Sequence, residues 1–123
     1  MVRLVGLWTE PADIDAFERD YLGAHFPQLA QLINATGSRT SRAFDGPYFR
    51  FTEVMFDSAD DIRAALATDT GERILKGARA LEEKYGIQLD VMIVADPLGV
   101  DRPGGAGTDR CRSVAARVRT LRP

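Results

Sequence analysis

One histidine, His25, is the side chain of this sequence best suited to move a proton, and its neighbours fix where it can do so. Phe17, Tyr21 and His25 recur every four residues, so on a helix they share one face and the imidazole points where the aromatic rings point. An imidazole with an ordinary pKa of about 6.5 takes and returns a proton near neutrality, which is the step that isomerisation, dehydration or aldol cyclisation requires. Tyr21, one turn earlier, can donate a hydrogen bond to a substrate oxygen. Pro27 has no N–H and its ring would collide with the carbonyl of Gly23, so the helix is predicted to end or kink within a residue or two of His25. The structural alternatives are a His25 that caps the carbonyls left free ahead of Pro27 and a Tyr21 that is plain core.

A second group of residues could build walls around such a base. Trp8, Phe49, Phe51, Phe56 and Met92 are candidates for an aromatic substrate pocket, the alternative being core or dimer interface. Arg42, with Arg39 and Arg50, could receive a carboxylate or phenolate, or else be solvated or paired with Glu53. Glu53 stands among large apolar neighbours and is costly to bury alone, so it is expected beside an arginine or a solvent-filled cavity. Cys111 is the single cysteine; with one histidine there is no Cys/His cluster for zinc and no metal or other cofactor is expected.

The elements that must position these residues follow from periodicity. Val2 to Thr9 is apolar at both parities and suits a central strand buried on two faces. Asp13 is the expected N-cap of the helix that carries His25, with apolar positions resuming at Leu29, Leu32 and Ile33 before Asn34 to Gly37 end it. Ser38 to Phe44 reads as a polar edge strand, joined through Asp45-Gly46-Pro47 to a strand over Tyr48 to Phe56. Alternation puts Phe49, Phe51, Glu53 and Met55 on one face of that strand and Tyr48, Arg50, Thr52, Val54 and Phe56 on the other. Ser58 opens a short helix, Thr70 is the expected cap of the next, Gly86 ends that one, and Ile87 to Ala95 is the last strand.

The resulting order, βαββαβ, predicts an α+β ferredoxin-like sandwich with a four-stranded antiparallel sheet. Helices cover one sheet face, and the other cannot be polar, so a homodimer packed sheet to sheet is expected. Residues 1–97 hold 10 Lys and Arg against 16 Asp and Glu, too acidic for a nucleic-acid groove, while residues 98–123 hold six arginines against two aspartates and many glycines. The expectation is one domain over 1–97 and a flexible basic tail over 98–123. No run approaches the ~20 apolar residues that span a bilayer and Met1 to Leu4 does not open a signal peptide, so no membrane partner and a cytoplasmic location are expected.

With these residues in view, Phe17-Glu18-Arg19-Asp20-Tyr21-Leu22-Gly23-Ala24-His25-Phe26-Pro27, followed by Glu53-Val54-Met55-Phe56-Asp57-Ser58, resembles the EthD-like family of dimeric α/β-barrel proteins. That family's pattern has an FxxYYxxxHxP helix end and an ExxFxS strand exit; this chain keeps its His, Pro, Glu and Phe-x-Ser over about residues 2–97. The resemblance implies a ferredoxin-like protomer pairing sheet to sheet. It also implies a histidine, here His25, lying between sheet and helices as a general base or substrate-orienting group. Similar barrels include muconolactone isomerases, polyketide cyclases and dehydratases, quinone-forming monooxygenases and haem-binding proteins. The cysteine used by some isomerase relatives has no counterpart here, and haem is disfavoured because His25 would have to be its axial ligand.

Three functions stay open on this reading. The first is a cofactor-independent isomerase, cyclase or dehydratase acting on a small hydrophobic oxygenated metabolite, with His25 as base and Tyr21 as helper. The second is a non-catalytic ligand-binding or accessory protein, and the third a cofactor-free monooxygenase.

Overall fold

The computed structural model describes residues 1–101. β1 (Val2–Trp8) runs through the middle of a four-stranded sheet of order β2-β3-β1-β4, all neighbours antiparallel. β2 (Gly37–Arg42) is one edge, as its polarity predicts, β3 (Arg50–Phe56) is interior, and β4 (Leu89–Val94) is the other edge. The register sets the two faces: Leu4 pairs with Val54 and Ile93, and Trp8 with Arg50 and Leu89. Leu4, Gly6, Trp8, Thr52, Val54, Leu89 and Val91 therefore point to one side and Val5, Leu7, Phe51, Glu53, Met55 and Met92 to the other. This is the expected α+β ferredoxin-like sandwich.

In the first crossover the regular helix gives way beside His25, as expected, but by widening rather than by breaking. Asp13 caps α1 (Ile14–Asp20) by accepting from the Ala16 N–H, as its type predicts. The chain then does not break ahead of Pro27. It widens into a single π-helical turn over Tyr21–His25, in which the Phe26 N–H donates to the Tyr21 carbonyl, and runs on through α2 (Phe26–Gln28) and a 3-10 turn over Leu29–Gln31. Pro27 sits in the first turn of α2, where a missing N–H is harmless, and the extra residue in the π turn absorbs what a regular helix could not. His25 is consequently not a cap at a helix end. It is the last residue of the π turn and is buried together with Tyr21.

Ser58 caps α3 (Ala59–Leu66) through the Asp61 N–H, as predicted. Thr68, not Thr70, caps α4 (Asp69–Tyr85) by accepting from the Gly71 N–H; Thr70 lies inside the helix, because α4 starts two residues earlier than its apolar spacing suggests. Gly86, at φ 64°, ends α4 in the left-handed region that glycine enters without Cβ strain. Two apolar clusters join helices to sheet: Trp8, Phe17, Tyr21, Phe49 and Ala78 toward one end, and Val54, Phe56, Leu29, Leu32, Ile62 and Ile74 toward the other. Residues 98–101 are exposed and outside any helix or strand; the expected basic arm and Cys111 lie outside the described residues. Among the described residues, no helix is long and apolar enough to cross a membrane.

Candidate functional site

The two clusters do not quite meet. Between them, over Gly6 in the middle of β1, lies a cavity of about 80 Å³, several times the ~10–15 Å³ that one water needs by this measure. Its floor is the helix-facing side of the sheet, Leu4, Gly6, Trp8, Thr52, Val54, Leu89 and Val91, and its roof comes from Tyr21, His25, Leu29, Leu32, Ile74 and Ala78. Gly6 leaves part of this room: a Cβ there would come within 3.2 Å of Leu89 Cδ1. Leu75 and Val91, both exposed, mark the mouth between α4 and the β4 edge.

Its walls are apolar except at three side chains. His25 is 8% exposed, its ring 6.0 Å from that of Trp8 and 5.6 Å from that of Tyr21. No described residue hydrogen-bonds either imidazole nitrogen, so nothing compensates for loss of water when the ring is charged. Burial accordingly pushes its pKa below the ordinary value, and the ring is neutral at pH 7. The π turn explains the placement, since it carries Tyr21 and His25 inward together while Leu22, Gly23 and Ala24 stay exposed.

Tyr21 and Thr52 supply the other polar atoms. The Tyr21 hydroxyl is hydrogen-bonded to Thr52 Oγ1, which lies 2.9 Å from Thr40 Oγ1 across β3 and β2. Thr40 in turn accepts from Arg50 Nη1 at 3.0 Å, and Arg50 is clamped by Glu18 of α1 through Nη2 at 2.6 and 2.7 Å. A guanidinium buried to 6% exposure thus stands at the far end of a hydroxyl chain that ends at the cavity. When Thr40 donates to the Phe51 carbonyl (3.2 Å), the Tyr21 proton is turned toward Thr52. When Thr40 donates to Thr52 instead, every proton shifts one step and the Tyr21 proton is free to point into the cavity. Desolvation raises the Tyr21 pKa, so the phenol stays protonated through the neutral range.

Of the residues singled out in the sequence, His25, Tyr21 and Trp8 come together at the cavity. Five others do not. Phe51 and Met92 lie on the opposite face of the sheet, because strand alternation sends them there. Phe56 faces the helices but is sealed in the cluster with Ile62 and Ala65. Phe49 precedes β3, where its N–H donates to the Trp8 carbonyl at 2.7 Å, so alternation does not govern it and its ring packs on Phe17 behind the cavity. Arg42 is exposed on the β2 edge with its guanidinium 4.8 Å from the Phe49 ring. Glu53 has the arginine expected of it, twice over: Arg3 at 3.0 Å and Arg39, all on the open sheet face. Arg50 was expected with Glu53 or in solvent and is instead buried on Glu18. Thr52 and the Arg50 chain could have been found from the alternation of β3, which lists Arg50, Thr52 and Val54 on one face. Among the described residues, no three His, Cys, Asp or Glu side chains are grouped to hold a metal ion.

Comparison with solved structures places this architecture among known ones. An ethyl tert-butyl ether d (ethd) family protein from Bacillus halodurans is 24% identical with a TM-score of 0.71, over 79% of this chain and 99% of that one. A dabb family protein with a ferredoxin-like fold from Mesorhizobium loti is 12% identical with a TM-score of 0.63, over 80% and 97%. SnoaB, a cofactor-independent oxygenase from Streptomyces nogalater, is 15% identical with a TM-score of 0.60, over 82% and 97%. No family model and no curated protein matches the sequence. What these likenesses show is the ferredoxin-like fold, and the first is to a protein of the family that the sequence motifs resemble.

Proposed function

We propose that this chain is an EthD-like cytoplasmic enzyme that works without a cofactor on a small apolar oxygenated molecule, with His25 as general base and Tyr21 as hydrogen-bond donor. The observation that carries this reading is His25 itself: a neutral imidazole with no hydrogen-bond partner among the described residues, in the wall of an otherwise apolar cavity. Substrate enters past Leu75 and Val91, and its desolvated C–H or O–H group meets a base that water no longer competes with. The imidazole takes a proton from carbon next to a carbonyl and becomes imidazolium. The electron pair moves to the carbonyl oxygen, which accepts a hydrogen bond from Tyr21, while the chain through Thr52 and Thr40 to Arg50 leans its donors toward that oxygen. Return of the proton to another carbon completes an isomerisation; return to a leaving hydroxyl completes a dehydration.

The likeness to a cofactor-independent oxygenase favours a second fate for the same anion, donation of electrons to molecular oxygen. Both fates begin with His25. The proposal also includes a homodimer: the open sheet face carries Leu7, Phe51, Met55 and Met92, partly or largely exposed apolar side chains that a second copy would cover.

Exchange of the α-protons of 1-tetralone in deuterium oxide tests the base. The wild-type protein is expected to accelerate exchange by about 10²–10⁴-fold and His25→Ala to lose that acceleration. Equal rates for the two folded proteins would remove His25 from the role. Oxygen uptake with the same ketone separates the second fate from the first.

A further inference from the structure

His25 is walled by two different spaces. One is the apolar cavity; the other is an open groove of about 240 Å³ between the π turn and α4, lined by Asp20, Ala24, Gln28, Gly77, Leu81 and Lys84 along with the ring itself. The Nδ1 edge of the imidazole faces Gly77: a Cβ built there would lie 3.3 Å from Nδ1 and 3.6 Å from Cε1. Gly77 is in the middle of α4, where glycine costs about 1 kcal/mol relative to alanine, so what it supplies is room rather than helix stability. The charged groups of the groove are Asp20, from the first crossover, and Lys84, from α4, joined at 2.8 Å. Lys84 and the Tyr85 hydroxyl hold the Asp20 carboxyl below its ordinary range, and Asp20 holds Lys84 above its own, so both stay ionised and hydrated. On the cavity side the facing polar groups are Tyr21 and Thr52, neither charged.

We infer that this groove is the proton port of His25 and that Gly77 keeps it open. A proton taken from substrate on the cavity side makes imidazolium, and the groove-side nitrogen hands a proton to water there. The ring returns to neutral while the cavity is still occupied, so one proton passes from substrate to solvent in the oxygen reaction. In exchange, isomerisation and dehydration the groove water gives a proton back to the same nitrogen, and the imidazolium so re-formed delivers one from its cavity side. The inference rests on the base reading above, deepening it by naming the route and the residue that guards it.

The chain's single histidine makes the test clean, because carbethoxylation of imidazole by diethyl pyrocarbonate, followed by ultraviolet absorbance, reports on His25 alone. Gly77→Ala narrows the groove; Leu75→Trp narrows the mouth of the cavity. Alanine adds helix stability and needs only a few tenths of an ångström from the His25 ring, so the variant is expected to fold, with circular dichroism as the check. Gly77→Ala is expected to slow modification of His25 about tenfold and Leu75→Trp to leave it within about twofold of wild type, a tenfold change being a barrier of about 1.4 kcal/mol. An unchanged rate in Gly77→Ala, or an equal slowing in Leu75→Trp, would overturn the port. Because the readout involves no turnover, an active His25→Ala protein would refute the base without altering this result, and a failed port would leave the tetralone experiment as it stands.

Discussion

Replacing Thr52 by valine keeps the shape of a buried side chain and removes the hydroxyl on which the Tyr21 phenol rests. Thr52 is 5% exposed and Tyr21 1%, so bulk solvent does not reach the lost bond, and the cavity beside it is almost wholly apolar. Thr40 retains its bonds to Arg50 and to the Phe51 carbonyl, which confines the damage to Tyr21. An orphaned buried hydroxyl costs about 1–3 kcal/mol, and the added apolar methyl returns about 0.8 kcal/mol at most. The expected net loss is about 1.5 kcal/mol, which for a domain of this size lowers Tm by roughly 6–12 °C. Tyr21→Phe alone leaves Thr52 with Thr40 and should cost about 1 kcal/mol. In the double variant no hydroxyl is orphaned, so its cost should match that of Tyr21→Phe and leave a coupling energy of about 1.5 kcal/mol, the whole cost of Thr52→Val. Urea unfolding at one fixed protein concentration, followed by the fluorescence of buried Trp8, measures all four corners of this cycle. If the two substitutions add, or if Thr52→Val unfolds within about 0.5 kcal/mol of wild type, the hydroxyl chain does not hold Tyr21 as described.

The same unfolding assay applies to the far end of the chain: Glu18→Ala strands the Arg50 guanidinium and should cost about 3 kcal/mol, the low end for a buried pair because the Glu18 side chain keeps 18% exposure. On the open sheet face, Leu7→Lys should convert a dimeric wild type to monomer in sedimentation equilibrium, and a wild type that is monomeric at tens of micromolar would remove the dimer. Stability should also depend on pH through His25. Its folded pKa is depressed, so the unfolded chain binds its proton first and stability falls as pH drops below about 6.5 toward the folded value. His25→Phe should flatten that limb of a pH series of urea midpoints; an equally steep limb would assign it to other groups.

Element order and fold class were legible because β1 and β4 are bounded by clear turn residues and α4 carries a clean apolar stripe. The edge position of β2 followed from its polarity, and the partners of Glu53 from the cost of burying it alone. What could not be read was the π turn. Pro27 forbids a regular helix, but whether the chain breaks or widens depends on whether burying Tyr21 and His25 against Trp8 outweighs one irregular turn. The aromatic residues misled for a related reason: composition names the rings, and only register and depth separate Trp8, at the cavity, from Phe51 behind the sheet and Phe56 sealed beneath it. Gly77 was a signal left unused, since a glycine inside a strong helical pattern points to close approach by something else.

The account turns on a neutral His25 in contact with an apolar ligand cavity. The resonance of its Cε1 proton, the only histidine signal of the chain, can be titrated by NMR with and without phenol in the buffer. A midpoint below the ordinary imidazole value, shifted further when phenol is present, is the predicted result. A midpoint at or above the ordinary value, with no response to phenol, would contradict it.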